Sequence, residues 1–278
     1  MFKYAICNET FQSWDWEAAC HETARCGYSA IEIAPFTLAS DVRDISTDTR
    51  KQIASTAVSA GLEITGLHWL LVSPKGLSIT GDDAAVRMET SNHLKALVEF
   101  CSDVSGYSMV LGSPAQRRLP ASAGDNQAQV QLAEQRLLEV LAPALDSAAQ
   151  LGVTICLEPL PAPEADFVLT LRDAVAIVER AAHPALQTML DVKSGCSDIE
   201  PIPDLIEKYH RWIKHVHVND ANRRGPGFGD TDFVPILSAL ARVGYTGPVS
   251  VEVFDYSPDP VTIASGSIEY LKRCEPLE

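Results

Sequence analysis

One short pattern occurs four times along the chain, and it combines the end of a helix, a glycine and a buried strand. It is seen in RCGYSAIEI, SAGLEITGL, QLGVTICLE and RVGYTGPVSVE. Glycine favours the left-handed conformation that ends many helices, and a short apolar or β-branched run is typical of a buried strand. A repeated step from helix to strand favours parallel βα units. The chain is therefore predicted to belong to the α/β class.

The same alternation extends over the whole chain and predicts eight β/α pairs. Strands are expected at Tyr4–Asn8, Ala30–Ala34, Glu63–Trp69, Ser108–Leu111, Thr154–Glu158, Gln187–Val192, Ile213–Val218 and Val249–Phe254. Helices are expected at Trp14–Cys26, Thr47–Ala60, Ala84–Ser105, Asn126–Leu151, Leu171–Ala182, Ile202–Tyr209, Phe233–Val243 and Val261–Cys274. Eight such pairs in 278 residues predict a single (β/α)8 TIM barrel, with residues 1–278 forming one domain.

An open doubly wound sheet is the alternative architecture, and it normally carries a glycine-rich phosphate turn after its first strand. The first turn of this chain reads CNETFQSW, which argues against nucleotide binding.

The charge balance excludes several classes of partner. Lysine and arginine total 22 against 37 aspartates and glutamates, which gives a formal net charge of −15. Such a surface repels a nucleic-acid backbone, and the basic pairs Arg117-Arg118 and Arg223-Arg224 lie in predicted loops rather than in a patch. No run approaches the roughly 18 apolar residues of a membrane span, and no signal peptide is recognised. Seven cysteines without CxxC spacing are expected to be reduced thiols of a cytoplasmic protein.

Four metal-type residues stand near the ends of consecutive predicted strands. They are Glu158 in TICLEPL, Asp191 in LQTMLDV, His217 in IKHVHVND and Glu252 in PVSVEVF. The carboxyl ends of barrel strands meet at one mouth, and unpaired charges are costly there, so a bound cation is expected. Three carboxylates and one imidazole suit Mn²⁺, Mg²⁺ or Co²⁺ better than a structural zinc. We predict one divalent ion, with Mn²⁺ as the first choice.

At these positions the chain resembles a known group. The strings ICLEPL, MLDVKSG, KHVHVNDANRRGPGFGDTDF and VSVEVFDY, and intervals of 33, 26 and 35 residues between the four positions, are similar to those of the xylose-isomerase-like (β/α)8 superfamily. Within its sugar phosphate isomerase/epimerase branch the chain looks like the ketose 3-epimerases, such as D-tagatose/D-psicose 3-epimerase. The resemblance implies that Glu158, Asp191, His217 and Glu252 share one divalent cation, and that Glu158 and Glu252 are also the catalytic acid/base pair.

The implied chemistry has a general physical reason. Removing a proton beside a carbonyl makes an enediolate, and its negative oxygen is stabilised when the carbonyl is bound to a metal. Two glutamates on opposite faces let one remove the proton while the other returns it. The predicted function is therefore a divalent-metal-dependent sugar isomerase or epimerase, with a small-molecule sugar substrate. The resemblance also implies a homo-oligomer, either a dimer or a tetramer.

Two further positions match the epimerase pattern and are expected to bind substrate. Glu164 lies six residues after Glu158, and Arg223 lies six residues after His217 in a glycine-rich loop. By resemblance both contact substrate hydroxyls, although Glu164 could instead be an exposed loop acid. Arginine can also bind an oxyanion with two parallel hydrogen bonds.

The first half of the chain offers weaker candidates. His68 and Trp69 end the third strand, where their rings could stack on a sugar face or pack in the core. Glu32 would face the mouth or the interior of the barrel, as a structural carboxylate or as a substrate contact. His215 shares the strand face of His217 and is a further site candidate.

The chain departs from the ketose epimerases in one substrate-contacting position. Those enzymes carry a histidine three residues after the metal aspartate, whereas DVKS places Ser194 there, preceded by Lys193. Serine is shorter and neutral, so it cannot replace an imidazole. Lys193 could bind a keto or carboxylate oxygen of a different substrate, or be a plain surface lysine. The departure supports an alternative function, a metal-dependent lyase or dehydratase that acts by β-elimination on an oxidised (keto) sugar or glycoside.

Two other classes of protein fit the sequence less well. Apurinic endonucleases share this fold, but their zinc site needs many histidines, and seven histidines with a net charge of −15 disfavour DNA repair. A non-catalytic sugar-binding protein is the other possibility, and the intact pair of glutamates weakens it.

Overall fold

Eight parallel strands close into a barrel in chain order in the computed structural model, which describes residues 2–122 and 126–276. The strands are β1 Lys3–Cys7, β2 Ala30–Ile33, β3 Glu63–Leu67, β4 Ser108–Leu111, β5 Thr154–Leu157, β6 Leu186–Asp191, β7 Ile213–Val218 and β8 Pro248–Val251. Each strand pairs with the next, and β8 pairs with β1 to close the barrel. The predicted (β/α)8 TIM barrel is confirmed.

The helices surround the barrel close to their predicted positions. In the described part of the chain they are α1 Trp16–Cys26, α2 Thr47–Ser59, α3 Ala84–Asp103, α4 Asn126–Leu151, α5 Leu171–Ala181, α6 Val192–Gly195, α7 Ile202–Tyr209, α8 Phe233–Arg242 and α9 Pro260–Cys274. The short α6 was not predicted, because Val192 was expected to continue the strand before it. No helix among residues 2–122 and 126–276 is long and apolar enough to cross a membrane.

Local sequence accounts for most of the helix boundaries. Aspartate side chains accept the first free backbone amides of α1, α3, α8 and α9, and α5 begins with a capping box formed by Thr170 and Asp173. Left-handed glycines follow four helices, at Gly27, Gly61, Gly152 and Gly244.

The sequence also predicts Gly106 as the left-handed residue that ends α3, and this prediction is wrong. Ser105 adopts the positive φ of 66° there, and Gly106 follows it without a left-handed conformation. Gly106 is needed for space instead, because a Cβ at this position would lie 3.0 Å from the Cα of Gly66.

The apolar core lies mainly between the barrel and its helices. Two large clusters of buried side chains fill this layer, whereas the barrel interior holds a small separate cluster of Val110, Cys156 and Met189. Buried polar side chains, including Glu32 and His215, also lie in the barrel. The seven cysteines are free thiols, as expected. The interior therefore contains unusually few purely apolar residues, and its polar groups need partners.

Gly66 of β3 tests how closely the barrel strands pack. A Cβ at Gly66 would lie 1.7 Å from the carbonyl oxygen of Ser108, and the φ of Gly66 is +153°. We expect Gly66→Ala to lower the free energy of unfolding by about 3 kcal/mol or more, because the backbone of β4 must move. Urea denaturation measures the loss.

Gly61→Ala is the matched control for that substitution. Gly61 has a φ of +78° with nothing within 4 Å of the added Cβ, so only the left-handed strain of about 1 kcal/mol is expected. Equal losses in the two variants would contradict the packing explanation.

Candidate functional site

Four predicted residues come together at the C-terminal mouth of the barrel. Asp191 ends β6, His217 lies in β7, and Glu158 and Glu252 directly follow β5 and β8. One ligand atom from each lies within 4.8 Å of the other three, and all four side chains are buried. The backbone brings them together because Asp191 and His217 occupy paired positions of neighbouring strands. This cluster of four could hold a metal ion.

The orientation of His217 fits that use. Its Nε2 lies 3.2 Å from Oε2 of Glu32, and its Nδ1 lies 3.2 Å from Oε2 of Glu252. Neither Nδ1 of His217 nor Oε2 of Glu252 has a hydrogen-bond partner among the described residues. Glu32 can accept the Nε2 proton, and Nδ1 then offers its lone pair to a cation once the imidazole is neutral. A metal-binding histidine is commonly held in this way by a carboxylate on its second nitrogen.

Glu32 therefore supports the cluster rather than facing the mouth. It is fully buried and also accepts a hydrogen bond from Nε2 of His215 at 3.0 Å. On its other side His215 contacts Oγ of Ser108, 3.2 Å from Nδ1. Burial opposes ionisation of Glu32, but the two histidines outweigh it and hold the pKa of Glu32 well below its usual value. Of the two expectations for Glu32, the structure favours a structural carboxylate.

Asp191 is held by the chain that follows it and by the end of β7. Its Oδ1 accepts the backbone amide of Ser194 at 2.6 Å, and its Oδ2 accepts Nδ2 of Asn219 at 2.7 Å. Oδ1 of Asn219 in turn accepts the backbone amide of Lys193 at 2.8 Å. These bonds orient the carboxylate and shape α6. Asn219 was not predicted, although it lies two residues after His217 and therefore at the same strand end.

A buried arginine and a glycine hold Glu158. Arg117 is fully buried and donates to the backbone oxygens of Glu158, at 2.7 Å, and of Phe167, at 3.0 Å. The sequence predicts Arg117 only as one of two basic residues in a loop, not as a support for Glu158. The adjacent Arg118 is the same residue type and is exposed, so the local sequence does not distinguish the two. Gly112 leaves space for the carboxylate, since a Cβ there would lie 2.1 Å from Oε2 of Glu158.

The two glutamates of the cluster differ in their ease of ionisation. Burial, together with the charges of Glu252 and Asp191, raises the pKa of Glu158 to about 8. Burial also opposes ionisation of Glu252, but His217 and His68 outweigh it and lower the pKa of that carboxyl. Paired carboxyls whose pKa values are driven apart are suited to one acid and one base role.

Glu252 is oriented by the two residues that directly follow β3. Nε1 of Trp69 donates to Oε1 of Glu252 at 2.9 Å, and Nδ1 of His68 lies 3.4 Å from the same oxygen. Nε2 of His68 lies 2.8 Å from Oε2 of Glu9. His68 is fully buried, which favours packing over the expected stacking on a sugar. Glu9 was not predicted, although it lies two residues after β1, near a strand end like the members of the cluster of four.

Most of the remaining predicted substrate contacts meet at Phe254. Nζ of Lys193 and the guanidinium of Arg223 each lie 5.3 Å from the centre of this ring. The ring also stacks on Trp69, with 6.1 Å between ring centres. Nζ of Lys193 pairs with the carboxylate of Glu164 at 2.9 and 3.0 Å. Lys193 is therefore not the plain surface lysine of the alternative expectation, whereas Arg223 is exposed.

Ser194 lies apart from this group. Its side chain is buried, and its Oγ has no hydrogen-bond partner in the described part of the chain. It lines a cavity beside Asp191.

The sequence of residues 20–274 matches the family described as Xylose isomerase-like TIM barrel. The chain belongs to the xylose isomerase-like TIM barrel family. The predicted resemblance is confirmed, and family members are expected to place their functional residues at the barrel mouth where the cluster of four is found.

Individual relatives are epimerases by name. D-psicose 3-epimerase of Ruminiclostridium cellulolyticum is 33% identical over 103 residues, which is 37% of this chain and only 35% of that enzyme's length. Fructoselysine 3-epimerase of Shigella flexneri is 22% identical over 94% of this chain and 93% of its own. The structure of 3-keto-D-glucoside 4-epimerase from E. coli superposes with a TM-score of 0.84 at 18% identity, covering 99% of this chain and 100% of that one. That likeness shows the fold alone, while the names of the relatives support the predicted isomerase class.

Gly112→Ala tests whether the position of Glu158 matters for metal binding. The added methyl would displace the Glu158 carboxylate, so we expect Mn²⁺ affinity to fall by about 10- to 100-fold, the usual effect of disturbing a ligand's support. Calorimetric titration of the metal-free protein measures it. Gly81→Ala, whose methyl would meet only the side chain of Ser78, is the control and should bind Mn²⁺ as the unmodified protein does.

The raised pKa of Glu158 predicts how metal binding depends on pH. A cation binds the ionised carboxylate, so binding releases a proton below the pKa of about 8, and affinity rises as pH increases toward that value. We expect Mn²⁺ affinity to increase about 50-fold from pH 6 to pH 8. In Glu158→Gln this component of the increase should be absent. An affinity that is flat over this range in the unmodified protein would contradict the assignment.

Proposed function

We propose that the protein is a divalent-metal-dependent sugar isomerase or epimerase. The observation that carries the proposal is the cluster of Glu158, Asp191, His217 and Glu252, buried at the mouth with Nδ1 of His217 and Oε2 of Glu252 unpartnered. The names of its relatives, which are sugar epimerases, support the same reaction class.

The four residues of the cluster would hold one divalent cation. Three carboxylates and a single imidazole favour Mn²⁺, with Mg²⁺ or Co²⁺ as alternatives. When bound, the cation would supply the positive charge that stabilises the enediolate oxygen of the substrate.

Glu158 and Glu252 would transfer the proton. They follow β5 and β8, which lie on different sides of the barrel mouth, so a sugar between them presents opposite faces to the two carboxylates. One glutamate removes the proton beside the carbonyl, and the other returns a proton to the opposite face, which inverts that carbon. Trp69 and His68 hold the first oxygen of Glu252, and Arg117 fixes the backbone of Glu158, so both bases are positioned before substrate arrives.

The group around Phe254 would bind the sugar. Lys193 has a raised pKa, because Asp191 and Glu164 outweigh its burial, so it stays a cationic donor for substrate oxygens. Glu164 would accept hydroxyl protons, and the exposed Arg223 would close over the mouth. Trp69 and Phe254 offer apolar ring edges to the sugar carbons.

A metal-dependent lyase or dehydratase is the second candidate function. The observation that favours it is the serine at position 194, which replaces an imidazole-sized substrate contact and stands next to a buried cationic lysine. If the substrate carries a leaving group on the carbon next to the one that loses the proton, the same glutamate would drive elimination from a keto sugar or glycoside.

Product analysis in heavy water separates these reactions. We expect the Mn²⁺-loaded protein to convert a free ketose into its epimer with one deuterium at the inverted carbon, detected by NMR. A 3-keto-glycoside serves as the parallel substrate. Release of its aglycone or of water, without any turnover of ketoses, would establish the lyase instead.

Glutamine variants test the two bases in the same assay. Glu158→Gln and Glu252→Gln should each lower kcat by about 10³-fold or more while the circular dichroism spectrum is retained. Glu63→Gln is the control and should keep full activity, because this exposed glutamate is the first residue of β3, at the end of the strand away from the mouth. Substantial turnover in either of the first two variants would refute the assignment.

A further inference from the structure

A cavity of about 480 Å³ lies at the N-terminal end of the barrel, at the opposite end from the cluster of four. The first residues of five strands line it, and they are Lys3 of β1, Ser108 of β4, Thr154 of β5, Ile213 of β7 and Pro248 of β8. The chain segments between α7 and β7 and between α8 and β8 form the rest of its wall. None of the described residues that line it belongs to the cluster of four, so the cavity is separate from the proposed active site.

The wall of this N-terminal cavity is basic, although the chain as a whole is strongly acidic. Lys3, Arg211 and Lys214 line it together with His210, and none of the described lining residues is an aspartate or a glutamate. The whole chain has 37 acidic residues against 22 lysines and arginines. Strand pairing brings the two lysines to one end of the barrel, because β8 pairs with both β1 and β7. A concave group of cations without acidic neighbours attracts anions.

Two of these cations have no anionic partner. The side chains of Arg211 and Lys214 are exposed, and neither makes a hydrogen bond or an ion pair with any described residue. The guanidinium of Arg211 lies 5.1 Å from the centre of the Trp212 ring, which leaves its N–H groups unused. Lys3 is less available, because its Nζ pairs with Oε1 of Glu63 at 2.9 Å. The cavity therefore offers two unpaired positive charges.

The helix ends beside the cavity do not account for these two cations. The last carbonyl oxygens of a helix attract basic side chains, and both α7 and α8 end at the wall. Of the basic residues that line the cavity, His210 serves in this way, since its Nδ1 lies 2.9 Å from the backbone oxygen of Glu207. Arg211 and Lys214 bind no helix carbonyl among the described residues and remain available to a ligand.

The remaining polar groups and the volume limit what fits the cavity. The hydroxyls of Thr154 and Thr246 line it and make no hydrogen bond with the described residues, so they are further donors. A water molecule occupies about 30 Å³ in the liquid, so a cavity of about 480 Å³ holds more than a single phosphate ion. A phosphate group carries a charge of about −1.5 to −2 at pH 7 and three acceptor oxygens, which matches two unpaired cations and the nearby hydroxyls.

We propose that the N-terminal cavity binds a phosphate group, either as free phosphate or as part of a small phosphorylated molecule. Arg211 and Lys214 donate charge-assisted hydrogen bonds to the phosphate oxygens, and the threonine hydroxyls add neutral ones. The space beyond the phosphate holds the organic part of the larger ligand. This site does not depend on the proposed function, because it shares no residue with the cluster of four.

Calorimetric titration of the full chain with Mg²⁺ present tests the site. The probes are inorganic phosphate, glucose 6-phosphate and glucose. We expect both phosphates to bind, and Arg211→Gln and Lys214→Gln each to raise their dissociation constants by about 10-fold, the loss expected for one hydrogen bond to a charged group. Tighter binding of glucose 6-phosphate than of phosphate would support a phosphorylated small molecule as the ligand, and equal binding would support free phosphate.

Lys51→Gln and Lys95→Gln are the matched controls. These lysines are exposed on α2 and α3, and each variant makes the same change of one charge as Lys214→Gln. Both should keep the native dissociation constants, because distant surface charges are screened by salt. Absence of phosphate binding, or equal affinities in Lys214→Gln and the two controls, would overturn the proposal. Binding of glucose that matches glucose 6-phosphate would also overturn it.

Chemical labelling locates the bound phosphate without any substitution. Acetic anhydride modifies exposed lysines, and mass spectrometry of the digested protein gives the extent of modification at each one. Saturating phosphate should slow the labelling of Lys214 several-fold and leave Lys51 unchanged, because only Lys214 lies in the cavity. Equal labelling of Lys214 with and without phosphate would contradict the site. Neither measurement involves turnover, so a failure here leaves the proposed function standing, and a failure of the proposed function leaves this site standing.

Discussion

The burial of four ionisable side chains in one barrel mouth is the constraint on which the rest of the site depends. Charges removed from water are costly unless they are paired or bound by a cation. Neutral donors satisfy some of the carboxylate oxygens, since Asn219 donates to Asp191 and Trp69 donates to Glu252. The chain leaves Nδ1 of His217 and one oxygen of Glu252 facing each other without a hydrogen bond. Both of these atoms belong to the cluster of four and are ones that a cation would use.

The supporting residues come from a second layer inside the barrel. Glu32 lies between His215 and His217 and sets the direction in which His217 presents its free nitrogen. Glu9 does the same for His68, which in turn reaches Glu252. This polar layer takes the place of apolar side chains that would otherwise fill the barrel. The interior therefore contributes to the orientation of the site as well as to the core.

Reaction type and substrate choice depend on different parts of the mouth. The cluster of four comes from the ends of β5 to β8 and would hold the cation and carry the proton transfer of the proposed reaction. The substrate side is formed by other loop residues, since Ser194 lines a cavity beside Asp191 and Lys193 lies between Glu164 and the ring of Phe254. A chain can keep one proton-transfer apparatus and still accept a different sugar by changing these loop residues.

Local sequence patterns predict the barrel, most element boundaries and the four residues of the cluster, because helix and strand periodicity and strand-end positions are local properties. The sequence also pointed to Ser194 and Lys193 as the place of departure. Which loop residues are buried depends on the tertiary structure. Arg117 and Arg118 are adjacent and alike in sequence, yet only Arg117 is enclosed, by contacts about 40–50 residues away along the chain. The roles of Glu9 and Glu32 likewise come from side chains on distant strands, because burial and hydrogen-bond partners depend on closure of the barrel.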